Sequence, residues 1–352
     1  MKNTHSSPLH VLCFGVGAIG TYIGGSLALA GHWVVFVERP EIADEVRQRG
    51  LRLRIRGEEL VIEQPEVLNS IGEALERSPF DVAILAIKSF DTPQFIESLK
   101  PYRDSIPPVL CLQNGVENES LIAELLGKER VIAGTVTSAI GRREAGDIAL
   151  ERLRGMGVAA GHPLAPSLVM AMDRAGLNCR LFRHVDGMKW SKMLTNLLAN
   201  ASSAILDMTP AEIYAHPGLF RLEVAQLREA LAVMHALRIP LVDLPRTQVR
   251  LLGWIVERLP VGFSRPLLAR TIGKGRGAKM PSFHIDLYSG RGKSEVDYLN
   301  GAVVRGGNRA GIPTPVNRVL TQTLLDLTEG NIQREEYARQ PEKLLAAIKM
   351  NA

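Results

Sequence analysis

The sequence predicts two domains of different class, an N-terminal α/β domain over residues 1–184 and an all-α domain over residues 185–352. Three observations carry this. Val11 to Gly20 reads as a buried strand running directly into Gly15-x-Gly17-x-x-Gly20. Further apolar runs at Phe80–Ile87, Val109–Gln113 and Val131–Ile140 have the length and β-branched content of buried parallel strands. From about Asp186 onward helical periodicity dominates, which places the boundary near residues 182–187.

The chain has 352 residues, 46% hydrophobic and 22% charged, enough for two sizeable cores. No apolar run reaches the roughly 18 residues of a membrane span. Met1–Pro8 is polar and has no signal-peptide core, so the expected location is the cytoplasm. Cys13, Cys111 and Cys179 lack metal-ligand spacing and read as reduced core thiols; no metal site is expected. The net charge of +5 suits an enzyme of anionic substrates that uses a phosphate-bearing cofactor. Nucleic acid is a poor alternative, because the basic residues are not interleaved with aromatics.

In chain order, Gly15, Val16, Gly17, Ala18, Ile19 and Gly20 form a dinucleotide-binding loop. The first glycine permits the turn, the second leaves room for a pyrophosphate, and the third lets the following helix pack on the strand. The helix over Thr21–Ala30 then aims its N-terminal amides at the phosphates. This is the signature of a Rossmann-type domain. Trp33–Val37 is the second strand, and Glu38-Arg39 at its end stands where the adenosine ribose is expected. An acid there favours the free ribose of NAD, and an arginine holds the 2′-phosphate of NADP. Ile42–Gly50 reads as a short helix. Leu51–Arg56 alternates as a half-exposed strand with its arginines on a solvated face, and Gly57-Glu58 turns it into a returning strand. Phe80–Ile87 ends in Lys88, and Val109–Gln113 ends in Asn114-Gly115. Both polar ends fall on the rim where open parallel sheets bind ligands. Val131–Ile140 reads as one further strand, followed by a less regular sheet edge as far as Gly161.

In the second half, Lys192, Asn196 and Asn200 recur at i, i+4 and i+8. On one helix they form a polar row on an otherwise apolar surface, which points to a polar cavity. Leu219–Leu237 and Thr247–Leu259 read as amphipathic helices. Residues 265–279 form a basic connection, with glycines 273, 275 and 277 as hinges if it acts as a lid. Ser294 resembles a helix cap with Glu295 in the first turn. That helix runs to about Ala310, Gly311-Ile-Pro-Thr-Pro315 stops it, and a final helix starts near Val316.

These pieces together resemble the ketopantoate reductase (2-dehydropantoate 2-reductase) family over roughly Val11 to Leu327. The anchors are Gly15–Gly20, Lys88, Gln113-Asn-Gly115, Lys192-x3-Asn196-x3-Asn200, Ser282 and Ser294-Glu-Val-Asp-Tyr-Leu-Asn-Gly301. The resemblance implies NADPH-dependent reduction of 2-dehydropantoate to pantoate, with NADH the lesser cofactor. It implies that Lys192 donates the proton and that Glu295 supports it and binds the substrate hydroxyl. Asn196, Asn200 and Ser282 become substrate ligands. Lys88 and Asn114 line the nicotinamide end, and Arg39 meets the 2′-phosphate. The expected partner is a small 2-oxo acid, with a homodimer possible and neither membrane nor nucleic acid involved. Two alternatives stay open: a reductase of another branched 2-oxo acid, and a dinucleotide sensor without turnover.

Overall fold

The computed structural model describes residues 7–260, 279–290 and 292–351. Apart from Lys279, the basic connection and its glycines lie outside the described residues. The chain divides into two compact units. One is Met1–Lys189 with Leu244–Thr247, and the other is Trp190–Asp243 with Gln248–Ala352.

The first unit is an α/β structure around an eight-stranded sheet. Its strands are β1 (His10–Phe14), β2 (Trp33–Val37), β5 (Glu66–Leu68), β6 (Val82–Leu85), β7 (Val109–Cys111), β8 (Val131–Val136), β11 (Met156–Ala159) and β12 (Cys179–Phe182). Their spatial order is β12-β11-β8-β7-β6-β1-β2-β5. Pairing is parallel from β5 through β8, and β11 joins β8 antiparallel. After His10 at the start of β1, strands β1, β6 and β7 are apolar throughout because both faces are covered. Val11 and Cys13 face one core, and Leu12 and Phe14 face the other. The three cysteines are free and buried, and burial pushes their thiols well up, Cys179 to about 12.

A second sheet, in the order β4-β3-β10-β9, consists of β3 (Leu51–Ile55), β4 (Glu58–Ile62), β9 (Ala139–Glu144) and β10 (Asp147–Arg152). Helix α1 (Ala18–Leu29) packs on both sheets through adjacent glycines. A Cβ at Gly24 would stand 2.6 Å from Phe36 of the large sheet, and one at Gly25 would stand 2.9 Å from Leu53 of the small one. Two expectations are corrected here. Val131–Ile140 is two strands, because Thr137 and Ser138 leave the large sheet to bond the Gly155 carbonyl, and β9 then joins the small one. The arginines of β3 are not simply solvated. Arg54 pairs with Asp147 and Glu59, because β3 lies between β10 and β4, which present those acids. The remaining helices of this unit are α2 (Pro40–Arg49), α3 (Ile71–Arg77), α4 (Thr92–Leu99), α5 (Asn118–Leu126) and α6 (Ala165–Arg174).

Helix α7 (Val185–Leu197) contains the boundary between the units. The second unit continues through α8 (Asn200–Leu206), α9 (Pro210–Ala215), α10 (Pro217–Ala236), α11 (Val249–Arg258), α12 (Ser282–Tyr288), α13 (Val296–Ala310), α14 (Pro315–Glu329) and α15 (Pro341–Asn351). Helix α10 forms its spine, with Leu219, Phe220, Leu227, Ala230 and Val233 buried on one stripe. Gly311 ends α13 in the left-handed conformation, φ 69°. The helix starting near Val316 is not the last. Residues 341–351 form α15, whose Leu344 is buried. Among the described residues no helix is long and apolar enough to cross a membrane.

Candidate active site

In the first unit, the sequence-predicted cofactor residues gather at one edge of the parallel sheet. β1, β2, β6 and β7 run side by side, with Phe14 level with Val37 and Leu85, and Leu85 level with Cys111. The segments leaving their carboxyl ends carry Gly15–Gly20, Glu38-Arg39, Lys88 and Asn114.

The glycine loop has the geometry its spacing implied. Gly15 takes φ 99°, and its amide donates to the Val37 carbonyl at 3.0 Å. A Cβ on Gly20 would stand 1.9 Å from the Gly15 carbonyl oxygen, so only glycine lets the helix start this close to the strand. Gly17, by contrast, has nothing within 4 Å of its Cβ position. Val16 is held from both sides. Its carbonyl accepts from Gly146 at 3.0 Å and from the Thr21 hydroxyl at 2.9 Å, and its amide donates to Glu38. Gly17, Ala18 and Ile19 are half-exposed, and the first amides of α1 have no intrahelical acceptor. An open cradle over a helix N-terminus fits a pyrophosphate.

Glu38 is fixed at the end of β2. Its carboxylate accepts from the Val16 and Arg39 amides, each at 3.0 Å. The Arg39 guanidinium lies 3.7 Å from that carboxylate and is 79% exposed, so it remains able to meet a ligand.

The rim at β6 and β7 rests on a buried polar network that the sequence reading did not include. Gln113 donates to the Ile87 carbonyl at 3.1 Å and to Thr92 at 2.7 Å. The Asn114 carbonyl accepts from Ser89 at 3.0 Å and from Asn118 at 2.6 Å. The Lys189 ammonium donates to the Gln113 carbonyl at 2.8 Å and pairs with Glu119 at 2.6 Å. The peptides flanking Lys88 and Asn114 are therefore clamped. Burial pulls the Lys189 pKa down, but the Glu119 carboxylate outweighs it and holds the group above the ordinary lysine value. The stability this supplies is full below the ordinary lysine pKa and is lost as pH rises through the raised one.

In the second unit, the Lys192 ammonium donates to Asn196 Oδ1 at 2.9 Å, one turn along α7. The expected row of three does not extend to Asn200. α7 ends at Leu197, Ala199 turns left-handed (φ 48°), and Asn200 starts a new helix. For a residue with a Cβ that conformation costs on the order of 1 kcal/mol. The break redirects Asn200 toward α12. Its Oδ1 accepts from the Phe283 amide at 3.1 Å, and its Nδ2 reaches Ser282 Oγ at 3.4 Å. The structure thus pairs Lys192 with Asn196 and Asn200 with Ser282. Glu295 is 2% exposed and forms the N-cap of α13 rather than lying inside its first turn. Ser294 is not the cap residue; its hydroxyl accepts from the Val296 amide at 3.2 Å.

The break is held by Glu223 of α10, also missed from sequence. Its carboxylate accepts from the Ala199 amide at 2.7 Å and from Ser202 at 2.6 Å. The signal was available, because Glu223 and Gln226 both fall on the apolar stripe of α10, four and seven residues after Leu219.

The glycine cradle at the carboxyl edge of the parallel sheet has the form of a dinucleotide-binding loop, and the helical unit carries Lys192 and the buried Glu295. The model of ketopantoate reductase PanE/ApbA matches residues 11–160, and that of its C-terminal part matches residues 184–328. The chain belongs to the ketopantoate reductase family. It is 25% identical over 320 residues to 2-dehydropantoate 2-reductase of Lactococcus lactis, covering 89% of this chain and 96% of that one. It is 26% identical to the Archaeoglobus fulgidus enzyme of the same name, covering 91% and 97%. Among solved structures, a PanE/ApbA family ketopantoate reductase from Ralstonia eutropha JMP134 superposes with TM-score 0.76 at 27% identity, covering 91% and 99%. D-mandelate dehydrogenase, solved with NADH and anilino(oxo)acetate, shares the fold with TM-score 0.73 at 21% identity, covering 92% and 100%.

Three expectations follow. Gly20→Ala should destabilise the fold by about 3 kcal/mol or more in denaturant unfolding. Gly17→Ala should leave stability within about 0.5 kcal/mol yet weaken dinucleotide binding roughly tenfold in a fluorescence titration, since the added methyl enters the pyrophosphate space. Lys189→Met should cost about 3–5 kcal/mol by stranding Glu119, and adding Glu119→Leu should recover part of it.

Proposed function

We propose that this chain reduces 2-dehydropantoate to (R)-pantoate with NADPH. The observation that carries the proposal is the Lys192 ammonium held by Asn196, in a unit that also sets Asn200 against Ser282 and buries Glu295. The family membership supports the substrate class, and the open cradle at Gly17 supports the cofactor.

When bound, the dinucleotide supplies the hydride that attacks the ketone carbon. The chain's residues do the rest. The amides of Ala18 and Ile19 and the dipole of α1 hold the pyrophosphate. Lys88 and Asn114, on their clamped peptides, line the nicotinamide side. Lys192 hydrogen-bonds the ketone oxygen, stabilises the negative charge that develops there and transfers its proton to it, then regains a proton from solvent. Asn196 orients the ammonium by accepting one of its hydrogens. Glu295 accepts from the substrate hydroxyl. Asn200 and Ser282 hold the polar groups of the 2-oxo acid.

Arg39 is the residue that favours NADPH, because its exposed guanidinium can pair with a 2′-phosphate. One observation favours NADH instead. The Glu38 carboxylate, fixed by two amides, stands at the ribose position and repels that phosphate.

The test is dinucleotide oxidation followed at 340 nm with 2-dehydropantoate and other branched 2-oxo acids. Turnover with 2-dehydropantoate that falls on the order of 10²- to 10⁴-fold in Lys192→Ala is the expected result. Turnover confined to another oxo acid would move the substrate, and dinucleotide binding without turnover would bring the sensor reading forward. In the same assay Arg39→Ala should lower the NADPH to NADH ratio of kcat/KM, and Glu38→Gln should raise it. A ratio unmoved by either places cofactor choice elsewhere.

A further inference from the structure

We infer that Glu223 is a positioning residue for substrate binding, because its buried carboxylate holds the α7–α8 break that sets Asn196 and Asn200 on separate helices. The inference rests on the proposed roles of those two asparagines.

Continued as one helix, residues 185–206 would present Lys192, Asn196 and Asn200 in a line, with the Ala199 amide bonded to the Thr195 carbonyl. The structure replaces that bonding with side chains from α10. The Ala199 amide donates to Glu223 Oε2 at 2.7 Å, and the Leu197 carbonyl accepts from Gln226 Nε2 at 3.3 Å. Gln226 Nε2 also donates to Glu223 Oε2 at 2.7 Å, and the Ser202 hydroxyl to Oε1 at 2.6 Å. Glu223 is 1% exposed and Gln226 fully buried. Acceptor oxygens are used at this point, Oε2 by the Ala199 amide and Gln226 Nε2 together and Oε1 by the Ser202 hydroxyl. The carboxylate also keeps Ala199 in a left-handed conformation that a residue with a Cβ does not choose unaided.

The network continues to the helix capped by Glu295. Gln226 Oε1 accepts from Asn300 Nδ2 at 3.1 Å, and Asn300 Nδ2 also reaches Asn317 at 3.0 Å. Asn300 lies five residues after Glu295 on α13. One buried chain of hydrogen bonds therefore fixes the turn between the substrate asparagines and ties it to the helix that presents the carboxylate. Since Glu223 acts through backbone, its loss should appear in substrate affinity before it appears in the chemical step.

Glu223→Leu keeps most of the volume but removes both acceptors, leaving the Ala199 amide without this partner. Steady-state kinetics with the 2-oxo acid should show KM raised about ten- to a hundredfold, with kcat within about threefold and dinucleotide affinity unchanged. Adding Ala199→Gly, which takes positive φ without strain, should recover much of the lost affinity. If Glu223→Leu does not fold, Gln226→Met, which releases the Leu197 carbonyl, should move KM in the same direction. A lower melting temperature with unchanged KM would reduce Glu223 to a structural role and overturn the inference. If the unmodified protein turns over no 2-oxo acid, the proposed function falls, and amide hydrogen exchange of a peptide spanning 194–203 decides the positioning role by itself. An Ala199 amide protected in the parent and released in Glu223→Leu supports it, and equal protection in both overturns it.

Discussion

A backbone that leaves regular structure inside a core strands its N–H and C=O groups, and each stranded group costs on the order of 1–3 kcal/mol unless something answers it. This chain places its candidate functional groups at such breaks and answers them with buried side chains. Glu38 takes the Val16 amide where β1 becomes the glycine loop. Lys189 takes the Gln113 carbonyl, and Asn118 and Ser89 take that of Asn114, where β7 gives way to α5. Glu223 takes the Ala199 amide between α7 and α8. Glu229 accepts from the Val316 and Asn317 amides at the start of α14. Burial pushes the Glu229 carboxyl up while those amides pull it down, and burial prevails. The breaks bring polar groups to a surface where a ligand can reach them, and the side chains beneath make the breaks stable.

The two kinds of break differ in how readily they are read. Where glycine makes the break, the sequence announces it. Gly15, Gly17 and Gly20 each occupy the position their spacing implied, and the distances at Gly20 and Gly17 explain why one tolerates no side chain and the other leaves space. The apolar strands were legible for the same kind of reason, since a strand buried on both faces has no other composition available. The end of Val131–Ile140 as a single strand was not, because apolar residues continue through Thr137 while the chain changes sheets. The second sheet was invisible as a separate layer, since pairing between β3 and β10 joins residues about a hundred apart.

In the helical unit the long helices α10, α11, α13 and α14 were readable from periodicity, but the short helices between them, the last helix α15 and the break at Ala199 were not. Neither glycine nor proline marks it. Leu197-Leu-Ala-Asn200 is ordinary helical sequence, and its local preference is overridden by a carboxylate more than twenty residues away. The same tertiary override hid Lys189, which by spacing could pass for a surface lysine at the start of α7 and is instead 5% exposed against Glu119. What would have betrayed both is a charged residue in register with an apolar stripe. Such a residue destabilises a core unless it has a partner, so its presence predicts a partner even when the partner cannot be named.

That reasoning bears on how substrate preference can change within this architecture. The glycine cradle is constrained by backbone against backbone, where a Cβ would lie 1.9 Å from an oxygen, so it has no room to vary while a pyrophosphate is bound. The asparagine cluster is constrained by side chains against backbone, through Glu223, Gln226 and Asn300. A substitution in that buried network can shift the turn between Asn196 and Asn200 without touching either residue or Lys192. On the proposed roles, chemistry and substrate fit are therefore separable in the helical unit. Lys192 sits within a regular turn of α7, and Asn196 and Asn200 flank a helix break whose geometry is set from beneath.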